Sequence, residues 1–121
     1  MSRWIVMGSI SGFLSVALGA FAAHALSARL GPRELEIFKT GTQYQFYHAL
    51  ALILFGISMA GPLRGESHVT GWAFVVGTII FSGSLYILAL TGIKAWGAVT
   101  PIGGVAFLVG WASFAYAAWS R

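Results

Sequence analysis

Whatever chemistry this sequence could carry rests on three histidines, a short block of glutamines and tyrosines, and a ladder of hydroxyls. His48 follows Gln43, Tyr44, Gln45 and Tyr47 closely, and at helical spacing Tyr44, His48 and Ala51 share one face. Thr78, Ser82 and Tyr86 recur every four residues, with Ser84 beside them, which makes a second helical stripe. His24 closes the apolar run that precedes the first block. Polar groups inside apolar segments face other protein and find partners there. The first expectation is a hydrogen-bonded network joining three helices. The second is a small-solute, quinone or ion site built from the same groups.

Other chemistries fit less well. His24 and His48 are both expected in the half of the molecule next to the first connection, near enough to be neighbours, which invites a haem held by two imidazoles. Such a haem needs both rings at one depth, and the residue positions leave them about 5 to 8 Å apart. Structural zinc needs four ligands, and the apolar runs supply no carboxylate or thiolate. Ser82 and Ser84 would need a base within reach and an oxyanion hole to act as hydrolase nucleophiles. No complete catalytic set is present, so we expect no enzyme, no cofactor and no metal.

The elements that must position these groups follow from composition. Of 121 residues, 58% are hydrophobic and only 8% charged, against roughly a quarter charged in a soluble domain. The charges cluster as well: Arg29, Arg33, Glu34, Glu36 and Lys39 in one group, Arg64 and Glu66 in another. Between them lie four uncharged runs, each longer than the roughly 20 apolar residues that cross a membrane as helix. Barrel strands are excluded because stretches such as Leu50 to Phe55 and Val75 to Ile80 are apolar on every face. The fold class expected is all-α: a single-domain integral membrane four-helix bundle over 1–121, with spans at about 4–26, 40–60, 69–90 and 101–119. The first run resembles a signal peptide, with Arg3 ahead of it and Ala20, Phe21 and Ala22 as a small-x-small site, but it is long for one. Cysteine is absent, which removes disulfides and thiolate chemistry. A net charge of +4 spread over loops and termini reads as membrane flanks rather than a nucleic-acid surface.

Short connections make consecutive helices antiparallel neighbours. In the first connection Gly31 breaks the chain and Pro32 presets a helical start with Glu34 and Glu36 behind it, so a short interfacial helix is expected between the first two spans. Thr100 before Pro101 reads as the cap of the fourth helix. Trp4, Trp96 and Trp119 read as interface anchors. Arg3, Arg64 and Arg121 fall on one side and Arg29, Arg33, Lys39 and Lys94 on the other. The basic excess places both termini outside the cytoplasm. The first and third helices match only at Gly19, Ala25 and Leu26 against Gly83, Ala89 and Leu90, too few for an internal repeat. Gly8, Gly12, Ser15, Gly19 and Ala22 line one face of the first helix, and Gly103 and Gly110 one face of the fourth, as in close helix packing.

Several of these segments together carry a resemblance: Gly19-Ala20-Phe21 leading to His24, Tyr44-Gln45-Phe46-Tyr47-His48-Ala49-Leu50, Phe81-Ser82-Gly83-Ser84-Leu85-Tyr86, and Thr100-Pro101-Ile102-Gly103-Gly104 with Gly110-Trp111. They resemble the small four-span membrane proteins grouped as domain of unknown function four-two-three. The resemblance implies four helices and a bacterial plasma membrane or organellar setting, and brings no activity, substrate or cofactor. Ala22 and Ala25 stand where that pattern commonly has glycine. The function expected is non-enzymatic association in the lipid bilayer, as a homo-oligomer or an accessory subunit of a larger membrane complex. The alternatives are a permeation pathway lined by Gln43, Tyr44, His48, Ser82 and Tyr86, with His48 proton-sensitive, or a lipid- or quinone-binding bundle.

Overall fold

A computed structural model describes residues 2–121, and among them every regular element is helical. The first helix, α1, is Arg3–His24; the Ser2 hydroxyl accepts the Ile5 N–H at 3.3 Å and so supplies one of the partners a helix start lacks. A 3₁₀ turn, Leu26–Ala28, follows it. The second helix, α2, is Pro32–Met59. The third, α3, runs over Val69–Thr91 as α-helical Val69–Gly77, a π turn Thr78–Ser82 and α-helical Gly83–Thr91. It stops at Gly92, whose φ of +70° only glycine adopts without strain. The fourth, α4, is Trp96–Trp119.

Three of the four helices are long and apolar enough to cross a membrane, in the segments Arg3–Ala28, Val69–Thr91 and Trp96–Trp119. The 28 residues of α2 make it the longest helix, yet Gln43, Tyr44, Gln45, Tyr47 and His48 lower its apolarity. The arrangement accounts for that composition. Helix α1 packs on α2, α4 packs on α3, and α2 and α3 lie together in the middle, so α2 has protein on more than one side and can place Thr42, Gln45 and His48 in buried positions.

Two boundaries differ from those read in the sequence. The segment after Pro32 is no separate interfacial helix but the first turns of α2. Nothing interrupts it at Thr40, and the Thr40 and Thr42 hydroxyls bond back to the carbonyls of Glu36 and Lys39 within the helix instead of capping a new start. At the other boundary, Thr100 does not cap α4. The helix begins at Trp96, where the N–H groups of Trp96, Gly97 and Ala98 reach back to the carbonyls of Ile93, Lys94 and Ala95. Thr100 therefore lies inside the helix, and its hydroxyl donates back to the Trp96 carbonyl at 3.3 Å. Pro101 sits inside the helix and removes one bond, the one its missing N–H would give to the Gly97 carbonyl.

The core has two centres. Trp4, Ala51, Leu52, Phe55, Phe74 and Phe107 form one, near the start of α1. Ala22, Leu26, Phe38 and Ala89 form the other, next to the first connection. Glycines set the distance between α3 and α4. A Cβ on Gly110 would stand 2.5 Å from the Phe74 ring, and one on Gly77 would collide with Phe107, so each helix inserts a phenylalanine over the other's glycine.

Candidate functional site

The small residues of α1 face α2. A Cβ on Gly8 would stand 2.7 Å from the Ala49 carbonyl; Gly12 lies over Ala49, Gly19 over Thr42, and Ser15 is buried. Gly103 meets the backbone of Phe81 in the same way. This register also places the histidines. Because Gly19 lies level with Thr42 and Gly12 with Ala49, His24 and His48 are about eleven helical residues apart in level, or about 16 Å. They are not neighbours, and His24 is exposed at the end of α1. The expected pairing of the two histidines is therefore corrected: antiparallel packing carries each further from the other's level than their distances from the helix ends suggested.

His48 is buried, with 4% of its surface exposed. Its Nδ1 lies 2.7 Å from the Tyr44 carbonyl, which can only accept, so Nδ1 carries the hydrogen. Its Nε2 accepts from Trp111 Nε1 at 3.1 Å. The ring stacks on Phe107, with centroids 3.5 Å apart and planes 6° from parallel. Both ring nitrogens are occupied, which leaves neither for a metal or a haem iron. Among the described residues no cluster of three or more metal-ligating side chains occurs.

The remaining polar groups separate into two sets. Gln43, Tyr44 and Tyr47 are exposed on the outer side of α2. Gln43 lies in a shallow hollow with Lys39, Thr42 and Ser15, and Tyr44 packs on Phe81 with ring centroids 4.8 Å apart. Ser84 bonds Thr100 at 2.5 Å, tying α3 to α4. Gln45, Thr78, Ser82 and Tyr86 come together elsewhere, in a groove between α1 and α3 of about 420 Å³. Ile10, Leu14 and Leu18 of α1 and Val75 and Ile79 of α3 form its walls. On the floor the Tyr86 hydroxyl donates to Gln45 Oε1 at 2.5 Å, Gln45 Nε2 donates to the Ser11 carbonyl at 3.0 Å, and Ser82 donates to the Gly41 carbonyl at 2.7 Å. The Thr78 Oγ1 is buried and has no partner among the described residues.

The two packing centres of the core lie toward either end of the bundle from the groove. At one end the Trp4 ring lies so close to Gly71 that a Cβ there would stand 2.6 Å from it, and Trp4 Nε1 donates to His68 Nδ1 at 2.9 Å. At the other end stands the Ala22, Leu26, Phe38 and Ala89 centre. The side stays open, and Ile10, Leu14 and Ile79 are exposed along it. The sequence pattern did not point to Ser11 or Gly41, because both contribute backbone carbonyls, which leave no mark in a side-chain pattern.

Comparison with known proteins agrees with the strongly apolar character of the chain. Residues 18–104 match the family described as "Protein of unknown function (DUF423)". The chain belongs to this family. It is similar to the UPF0382 membrane protein YwdK of Bacillus subtilis, with 44% identity over 120 residues covering 98% of this chain and 97% of that one. The UPF0382 inner membrane protein YgdD of Escherichia coli K12 is 44% identical over 108 residues, covering 89% of this chain and 82% of that protein. The UPF0382 membrane protein SAB0533 of Staphylococcus aureus is 42% identical over 111 residues, covering 92% and 90%. No solved structure matches. These relatives are named as membrane proteins, and the family match runs from the last two turns of α1 to the start of α4, including every residue of the groove floor except Ser11.

Proposed function

We propose that the chain is a four-span bundle of the bacterial plasma or inner membrane that acts without catalysis, by holding an apolar molecule taken sideways from the bilayer in the groove between α1 and α3. The observation that carries this reading is the shape of the groove. Its walls are apolar, its flank is open, and Gln45, Thr78, Ser82 and Tyr86 stand on its floor. A ligand site of that size, apolar with a few convergent polar groups, is the usual form of a small-molecule pocket.

The fourth span is α2. Its 28 residues reach about 42 Å at ~1.5 Å per residue, beyond the ~30 Å hydrocarbon core, so its charged first turns lie in the interface. The polar residues that lower its apolarity are in part buried against neighbouring helices, where hydrocarbon does not meet them. The names of the relatives, membrane and inner membrane proteins, support the location. Four basic residues, Arg29, Arg33, Lys39 and Lys94, put the first and third connections in the cytoplasm and both termini outside it.

Association with further copies or with a larger complex draws less support, since the small-residue faces that suggested it are turned inward to α2 and α3. A permeation path draws less as well, because Gln43, Tyr44 and His48 do not line the groove that Ser82 and Tyr86 share.

Leu14→Trp fills the groove from a wall position that is already exposed. Native mass spectrometry of the protein released from nanodiscs should show a bound apolar molecule on the wild type and much less on Leu14→Trp. Equal retention by both would overturn the reading.

A further inference from the structure

The groove floor selects its occupant by hydrogen-bonding type. Hydroxyls in helices of this chain ordinarily bond back to the carbonyl four residues earlier, as Ser27, Thr40, Ser58 and Thr91 do. Thr78 does not. It stands at the start of the π turn, where its own N–H faces the Phe74 and Val75 carbonyls, and its buried hydroxyl has no partner among the described residues. An unmade hydrogen bond in an apolar surrounding is costly, and π turns of this kind often mark functional positions. Beside it, Gln45 has its Oε1 occupied by Tyr86 and one amide hydrogen given to Ser11. The second amide hydrogen has no acceptor among the described residues. The floor therefore carries two unmet donors, the buried Thr78 hydroxyl and the Gln45 amide, and its lining holds no Lys, Arg, His, Asp or Glu.

Two donors without a charge suit a neutral acceptor. A carboxylate or phosphate brought here would lack any counter-charge, at a cost in hydrocarbon of several kcal/mol or more. Depth narrows the class further. Thr78 and Gln45 lie near the middles of α3 and α2, and thus, on the four-span reading, near the centre of the bilayer. A phospholipid in its ordinary place has its ester carbonyls at the edge of the ~30 Å core, and only hydrocarbon at this level. We infer that the groove takes a neutral, ring-borne carbonyl on an apolar tail, the chemistry of a membrane quinone, with its carbonyl oxygen on Thr78 and Gln45 and its tail along Leu14 and Ile79. This rests on the groove reading above and adds the identity of the polar contact.

The test uses the full chain in phosphatidylcholine nanodiscs loaded with one of two probes, a decyl-substituted benzoquinone or decylbenzene, which has the tail and ring but no carbonyl. Occupancy is read by native mass spectrometry and folding by the unfolding temperature. Wild type should retain the quinone about ten-fold better than decylbenzene, the preference worth one to two hydrogen bonds. Thr78→Val keeps the side-chain shape and removes the hydroxyl, so it should bring that preference close to parity while decylbenzene retention stays as it was. Thr78→Ser should keep the preference. Equal retention of both probes by wild type, with both lost in Leu14→Trp, overturns the carbonyl inference and leaves the groove reading standing. Retention of both probes unchanged in Leu14→Trp overturns the groove reading itself. Phospholipid retained in place of either probe also overturns the quinone assignment.

Discussion

Trp111 on α4 donates its indole hydrogen to His48 on α2, and this bond decides what the histidine can do. With Nδ1–H held by the Tyr44 carbonyl, the ring is the neutral Nδ1–H tautomer and presents no open nitrogen. Phe107 covers one face. A residue that looked in the sequence like a metal ligand or a proton-sensitive group is a packed cross-brace between α2 and α4, two helices whose backbones do not approach closely and which meet through side chains.

Trp111→Phe should keep an aromatic ring against Phe74 and Phe114 and remove only the donor to His48. The expected loss is about 1 kcal/mol, the scale of interhelical hydrogen bonds in membrane proteins. Reversible unfolding in mixed detergent micelles measures it. A variant as stable as wild type would mean that the brace contributes nothing.

The exchanged phenylalanines of α3 and α4 give a sharper contrast. Gly110→Ala places a methyl against the Phe74 ring at a distance no real contact shows, so the helices must separate or Phe74 must leave its position. About 1 to 3 kcal/mol of destabilisation follows from such overpacking. Gly104→Ala, on the same helix, meets nothing within 4 Å and should be neutral or stabilising by about 0.5 to 1 kcal/mol, since alanine is the better helix residue. The two unfolding temperatures should therefore move in opposite directions or apart. A drop at Gly104→Ala as large as that at Gly110→Ala would contradict the packing described.

Helix number was legible because it follows from the length of uncharged runs, which the placement of the few charged residues along the chain fixes. The stripe of Thr78, Ser82 and Tyr86 was legible too, since period and hydroxyl spacing survive in sequence, and with Gln45 these residues do line one groove. What could not be read was register between helices. His24 and His48 looked close because each was measured from its own helix end, whereas the pairing of Gly12 with Ala49 and Gly19 with Thr42 separates them. Pro101 misled for a local reason. A proline after threonine is a common helix start, but here the turn after Gly92 supplies the partners by 3₁₀-type bonds, so the helix opens earlier and absorbs the proline. The π turn at Thr78–Ser82 leaves no residue signature, and it coincides with the unpartnered Thr78 hydroxyl.

Arg121 fastens the end of α4 to the connection between α2 and α3. Its guanidinium donates to the Pro62 carbonyl at 2.9 Å and the Arg64 carbonyl at 2.7 Å and pairs with Glu66 at 3.4 Å. The pair is partly exposed, so its contribution to global stability is at most about 1 kcal/mol. Its effect should be local. Arg121→Ala should speed amide exchange over residues 60–68 several-fold while leaving the unfolding temperature nearly unchanged. Unaltered exchange in that segment would show that the connection holds without the arginine.

Because the chain contains no cysteine, single cysteines report on topology without background. Ser67 and Ser120 lie at the ends of α3 and α4 on the side of the termini, and Ser27 lies in the first connection. If α2 spans the bilayer, Ser67→Cys and Ser120→Cys share one side and Ser27→Cys the other. With the positive-inside direction argued from Arg29, Arg33, Lys39 and Lys94, a membrane-impermeant maleimide added to intact bacterial cells should label the first two and spare the third. Labelling of Ser27→Cys alone would reverse the orientation and keep four spans. Labelling of Ser67→Cys together with Ser27→Cys would mean that α2 does not cross, and the groove between α1 and α3 would then lose the depth on which its carbonyl chemistry depends.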